Sequence, residues 1–330
     1  MCFCFPTFTN VAKSPKHIFQ EKDFLDFRYF HKRAYYLACI AAGLQEANLS
    51  LPRQHHTTSS TTPASSEDCN FIVSFAYQND NPLQPIINID PVAGEQPRPP
   101  YRGDCTEILI GGEGDFTESE CQIRIILAAK EDLFPISKTL LDKSCIRAKG
   151  ENASFQRKSN LPTSLYNGTL RSECSSLPYL KLLHAASLRS EGLGDACLLG
   201  SIWLRQRGYS AALTNGGFGQ FEWACIIALL MHDGGANGRP VLSSGYSSYQ
   251  LFKAVLQFLS TRDLAQNPLL VQSNSLALED NTKPVLFDGA RGHNILFKMT
   301  PWSYKMVCLK YSSHCLRVND PSYGMMQVSL

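Results

Sequence analysis

Gly216-Gly217-Phe218-Gly219-Gln220-Phe221-Glu222-Trp223-Ala224-Cys225-Ile226-Ile227-Ala228-Leu229-Leu230-Met231, followed by Ser247-Ser248-Tyr249-Gln250-Leu251-Phe252-Lys253-Ala254-Val255-Leu256-Gln257-Phe258-Leu259, carries the densest apolar periodicity of the chain. Three glycines permit a tight turn into a first helix. Its apolar positions Phe221, Ala224, Cys225, Ala228, Leu229 and Met231 recur at three- and four-residue spacing, and Gly234 with Gly235 ends it. Ser247 is placed to cap a second helix, with Gln250 completing a capping box. Leu251, Phe252, Val255, Leu256, Phe258 and Leu259 give that helix a face too broad for solvent. Both helices are expected in a core.

Outward from this pair, residues 195–207 form a marked helix, with Asp195 at its start, Arg205 and Arg207 near its end and Gly208 beyond. Thr300 and Pro301 start a last helix. Upstream, 23–44 is predicted as one long amphipathic helix with Phe27, Phe30, Ala34, Leu37, Ala41 and Leu44 on its buried stripe. Its other side offers Arg28, Lys32 and Arg33 either to water or to phosphates. The Ser/Thr/Pro-rich tract 48–68 is a flexible loop. From Asn70 the period changes to two, and strands are expected at 71–77, 85–90, 106–110 and 122–127, with turn chemistry at 79–81 and a loop at 96–100. Two further short strands are expected at 285–287 and 294–297.

The 330 residues are 44% hydrophobic with a net charge of +2, enough for about two domains, and no global basic field announces nucleic acid. Twelve cysteines lack any Cys-x-x-Cys pair, so core thiols in a reducing compartment are expected rather than a disulfide framework. The longest apolar runs fall far below the roughly twenty residues of a membrane span, so no membrane association is predicted.

The strings Gly216 to Ala224 and Val241 to Ala254 resemble the Nrap family, the nucleolar RNA-associated proteins of ribosome assembly. Residues 19–44, 202–208 and 297–306 also resemble that family's segments, in family order. The resemblance implies an α+β chain: a truncated nucleotidyltransferase-like sheet domain at 19–176, then a mainly helical domain at 177–306 similar to the second domain of poly(A) polymerases and oligoadenylate synthetases. Residues 1–18 and 307–330 stay unassigned and are expected to be poorly ordered. The span is expected to match an N-proximal part of a family member.

Nucleotidyltransferases of that fold hold two Mg2+ ions with an Asp-x-Asp pair and a third carboxylate, because the metals must neutralise charge developing on the phosphates. The only mimic, Gly111-Gly112 followed by Glu118 and Glu120, sits in a strand-to-strand turn, and 123–127 offers Arg124 where an acid is needed. No metal or other cofactor is therefore expected. The Gly216–Gly219 turn invites either an anion or close helix packing. His31, His184, His232 and His293 stand alone, as structural histidines do. The expected function is a non-catalytic scaffold of the small-subunit processome in the nucleolus. Its partners would be precursor ribosomal RNA and neighbouring assembly proteins, with phosphates held in a groove by Arg28, Lys32, Arg33, Arg205 and Arg207. An active RNA nucleotidyltransferase and a protein-only interaction module are the alternatives.

Overall fold

A computed structural model of the chain describes residues 18–50, 71–91, 123–147, 161–232, 238–272 and 283–318. Among them, those of Tyr29–Leu127 form one compact unit, and those of Phe19–Arg28 with Ala128–Leu330 form a second. The architecture is α+β. The strand expected at 106–110, the loop at 96–100, most of the 48–68 tract, the Gly111 to Glu120 segment and both chain ends lie outside the described residues.

In the first unit, period-two patterning gives β1 (Phe71–Tyr77), β2 (Pro85–Pro91) and a short β3 (Ile123–Ile125), an antiparallel sheet in the order β1-β2-β3. Val73 faces Ile89, and Ile89 faces Ile123, so apolar residues line up across one face. Helix α1 (Arg28–Ser50) covers that face, with Leu37 and Ala41 packed on Ile87 and Leu127. The turn between β1 and β2 sets Asn79 and Asp80 at φ of 52° and 55°, a region these two residue types tolerate.

Three corrections fall on α1. It starts at Arg28 rather than Asp23, because Asp26 and Phe27 adopt φ of 54° and 61° and separate it from a 3-10 turn at Glu21–Phe24. Tertiary bonds hold that strained pair: the Asp26 N–H donates to Cys145 O at 3.0 Å, and the Phe27 N–H to the Tyr166 hydroxyl at 3.1 Å. The helix also runs past Gly43, whose position has open space around it, to Ser50. Finally, Ala34 is exposed and Arg33 takes its place in the buried stripe at 0% exposure. Its guanidinium donates to the carbonyls of Pro85 at 2.6 Å and Leu127 at 3.4 Å, tying the helix to the sheet.

The second unit is built from α2 (Ser164–Arg189), α3 (Leu193–Arg205), α4 (Gln220–His232), α5 (Ser248–Thr261) and α6 (Pro301–Val318). Helix α2 passes unbroken through residues 176 and 177, where the sequence reading set its domain boundary. The one-sided stripe expected on α4 is burial on every side, from Glu222 through Met231. This central helix lies against α2, α3 and α5. Trp223, fully buried, crosses α3 at Gly200, where an added Cβ would meet the indole at 2.3 Å. On α5 the expected capping box forms: Gln250 N–H donates to Ser247 Oγ at 3.3 Å and Ser247 N–H to Gln250 Oε1 at 2.9 Å. Thr300 caps α6 by accepting from Ser303 N–H at 3.0 Å. That helix buries Tyr304 and Val307 and continues through the expected 306/307 boundary to Val318. A small sheet, β4 (Leu269–Val271), β5 (Leu286–Asp288) and β6 (His293–Asn294), pairs β4 with β5 in parallel and β5 with β6 antiparallel. Strand β4 is not legible in the sequence.

Candidate RNA-contact surface

The C-terminal end of α3 carries the basic residues that the structure does bring together. Gly208, at φ 78°, ends the helix: its N–H donates to Arg205 O and the Tyr209 N–H reaches back to Leu204 O, both at 3.0 Å. Arg205 projects into solvent. Arg207 lies with its guanidinium carbon 4.0 Å from the centre of the Trp203 ring and donates to Trp203 O at 3.1 Å. Lys310 arrives from α6, its Nζ 5.0 Å over the Tyr209 ring and 3.1 Å from Arg207 O. The sequence reading missed this lysine, since no local pattern signals a residue about a hundred positions away. Arg207 and Lys310 also neutralise the negative end of α3, which accounts for their presence without a ligand. Arg205, in the last turn of α3, shares that task.

The other proposed contacts are dispersed. Arg28 is exposed at the start of α1, where its charge and, more strongly, a hydrogen bond from Arg147 hold the Asp26 carboxyl below its usual range. Lys32 is half-buried on α1, and Arg33 is withdrawn from any surface by its burial.

The glycine turn is spent on structure. The N–H groups of Gly217 and Phe218 donate to Ala212 O and Ser210 O, both at 2.9 Å, and that of Gly219 to Glu222 Oε2 at 2.8 Å. Glu222 completes a buried ion pair with Lys298 at 2.6 Å, and Lys298 in turn donates to Ala211 O at 2.8 Å. A Cβ on Gly219 would lie 2.7 Å from Ala211 N, so close packing is what selects the glycine. Phosphate therefore finds no free amide nest at Gly217, Phe218 or Gly219.

Asp288 and Arg291 pair at 2.7 Å within the turn joining β5 to β6. Next to it His293 is buried, and desolvation, with repulsion from Arg171 and Lys298, pushes its imidazole down to about 3. Such a ring stays neutral at ordinary pH. His31, His184 and His232 are exposed. Burial raises the thiols of Cys174 and Cys197 to about 12, as expected of inert core cysteines. Among the described residues no three His, Cys, Asp or Glu side chains cluster as metal ligands, and no helix is long and apolar enough to cross a membrane.

Comparison with known families decides what this architecture belongs to. The model described as Nrap protein domain 1 matches residues 11–189, and the one described as Nrap protein PAP/OAS-like domain matches 192–322. The chain belongs to the Nrap family. The match begins before Phe19 and extends beyond Met306, wider than the strings visible by eye. Among similar proteins, U3 small nucleolar RNA-associated protein 22 of Saccharomyces cerevisiae is 32% identical over 94% of this chain and 24% of its own length. The Schizosaccharomyces pombe protein of the same name is 32% identical over 86% of this chain and 22% of its own length. Human Nucleolar protein 6 is 26% identical over 86% of this chain and 20% of its own. The chain thus spans about a quarter or less of the length of these relatives.

Proposed function

We propose that this chain is a nucleolar, non-catalytic component of ribosome biogenesis, acting as a scaffold for precursor ribosomal RNA and neighbouring small-subunit processome proteins. The observation that carries this reading is the serial match to two Nrap domains, together with relatives whose names tie them to the U3 small nucleolar RNA and the nucleolus. On this reading the first unit derives from a nucleotidyltransferase-like sheet that holds no metal, and RNA is bound through its backbone rather than copied or extended. Support for the binding role comes from the C-terminal end of α3, where Arg207 and Lys310 lie over the Trp203 and Tyr209 rings and Arg205, in the last turn, is exposed. Backbone contacts of that kind position RNA without reading its bases.

The test is filter binding of the purified chain to a precursor ribosomal RNA fragment and to an unrelated RNA of equal length across a salt series. Three phosphate contacts on single-stranded RNA correspond to a log–log salt slope near about −2. Arg205→Glu should lower affinity and shallow that slope while the fold persists. Absence of binding at low salt, or an unaltered slope in Arg205→Glu, removes RNA from the proposal. Incorporation of labelled nucleotide with Mg2+, lost on changing Glu118 and Glu120 to Gln, would overturn the non-catalytic reading instead.

A further inference from the structure

On the second unit, the C-terminal ends of α2 and α4 and the segment 240–244 enclose a groove of about 390 Å3. Leu182, Ala228, Met231 and Leu242 supply apolar walls, and small side chains at Ala185 and Ala186 leave the space between them open. The far wall is fixed in place, because the N–H groups of Val241 and Leu242 both donate to Leu230 O, at 2.7 and 3.1 Å. Two large apolar residues adjacent in the chain to lining positions are exposed, Leu188 at 76% and Val241 at 47%. Among the described residues the ionisable groups lining the groove are Arg189 and His232, with no carboxylate. Arg189 closes the last turn of α2 and has no ion-pair partner among the described residues.

We infer that this groove docks a short acidic segment of a partner protein, seating one aliphatic or aromatic side chain on the apolar walls and setting a carboxylate against Arg189. Size supports a side-chain anchor, since a dry apolar cavity of about 150 Å3 already accepts benzene. Charge selects the partner: an apolar pocket whose charged lining is basic favours acidic flanks and repels basic ones. RNA is the weaker fit, because among the described residues the walls are mainly aliphatic and offer a single imidazole, His232, rather than successive aromatic platforms for bases.

The experiment titrates the full chain with a fluorescent pool of octapeptides in which one Leu, Ile, Phe or Met is flanked by Glu, the remainder being Gly and Ser. Fluorescence polarisation gives the affinity, and methyl NMR of Ala185, Ala228 and Met231 gives the place. The expected result is saturable binding with shifts at those methyls, weakened at least tenfold by Arg189→Glu and abolished by Ala185→Trp. Ala185 and Arg189 are exposed, so both variants keep the core. The inference is overturned by no saturable binding of the pool, by equal affinity for peptides with Lys in place of Glu, or by binding indifferent to both substitutions. It is equally overturned if a short single-stranded RNA, rather than the acidic pool, produces the methyl shifts. Loss of RNA binding at Arg205 leaves this groove untouched.

Discussion

Replacing Glu222 by Gln removes the charge that faces Lys298 while keeping an oxygen for the Gly219 N–H. The wild-type pair is 2.6 Å apart, with side chains 4% and 6% exposed, so water and salt screen it little. Once Glu222 is neutral, the Lys298 ammonium is left in the interior with Ala211 O as its acceptor. Breaking a buried pair from one side costs about 3–5 kcal/mol, mostly the desolvation of the stranded charge. For a cooperative unit of this size each kcal/mol moves Tm by about 2–4 °C, so the fall expected is about 6–20 °C. Lys298→Met in the same chain removes the stranded ammonium and should restore a large part of the loss. Urea unfolding followed by circular dichroism, run as a double-mutant cycle, measures this directly. Additivity of the two substitutions to within about 0.5 kcal/mol would refute the reasoning, as would a Glu222→Gln cost that vanishes in 1 M KCl.

Acidification is expected to act on His293. With the folded imidazole depressed to about 3 against an ordinary 6.5, the unfolded chain binds the extra proton. The stability contribution is present above pH 6.5 and is lost as pH falls, by about 1.4 kcal/mol per unit once below it. Between pH 7 and 5 this amounts to about 2 kcal/mol, and His293→Gln should flatten the curve; identical pH profiles for the two proteins would count against it. Two helical glycines should respond to alanine with opposite signs. Gly43→Ala, in open space, should gain about 0.5–1 kcal/mol from helix propensity. Gly200→Ala, driven into Trp223, should lose about 1–3 kcal/mol despite the same propensity gain. Thermal melts of both variants check the contrast. Ser247→Ala should cost about 1 kcal/mol through loss of the α5 cap, visible as a lower urea midpoint at constant slope.

Helices and strands with a clean period were legible in the sequence, and so was their chemistry at the ends: β1, β2, the capping box on α5 and the Thr300 start of α6. What escaped it was decided by neighbours distant in the chain. Arg33 reads as a surface charge until the carbonyls of Pro85 and Leu127 are known to wait beneath it. The turn at Asp26 and Phe27 has no glycine to announce it; it exists because Cys145 and Tyr166 bind its amides. Helix α2 is hidden by Gly168 and Pro178, and the glycine is there to admit Phe297. Of the candidate surface, Arg205 and Arg207 were visible as helix-terminal cations, whereas Lys310 and the two aromatic platforms needed the folded chain.

Helix α2 belongs to two different accounts of this protein at once. By descent it lies inside the first Nrap match, which stops at residue 189. By packing it lies in the second unit, where Tyr179, Leu183 and Ala186 join the core around α4. The pieces that evolution counts are therefore not the pieces that cohere. A gene cut at the family border, between 189 and 192, would deliver the helical half stripped of one wall, with the indole of Trp223 still enclosed but Phe221 deprived of the Tyr179 ring against which it rests. Recombination that shuffled such halves would have to carry residues 128–189 along with the second, and with them Phe19–Arg28, whose amides are held by Cys145 and Tyr166.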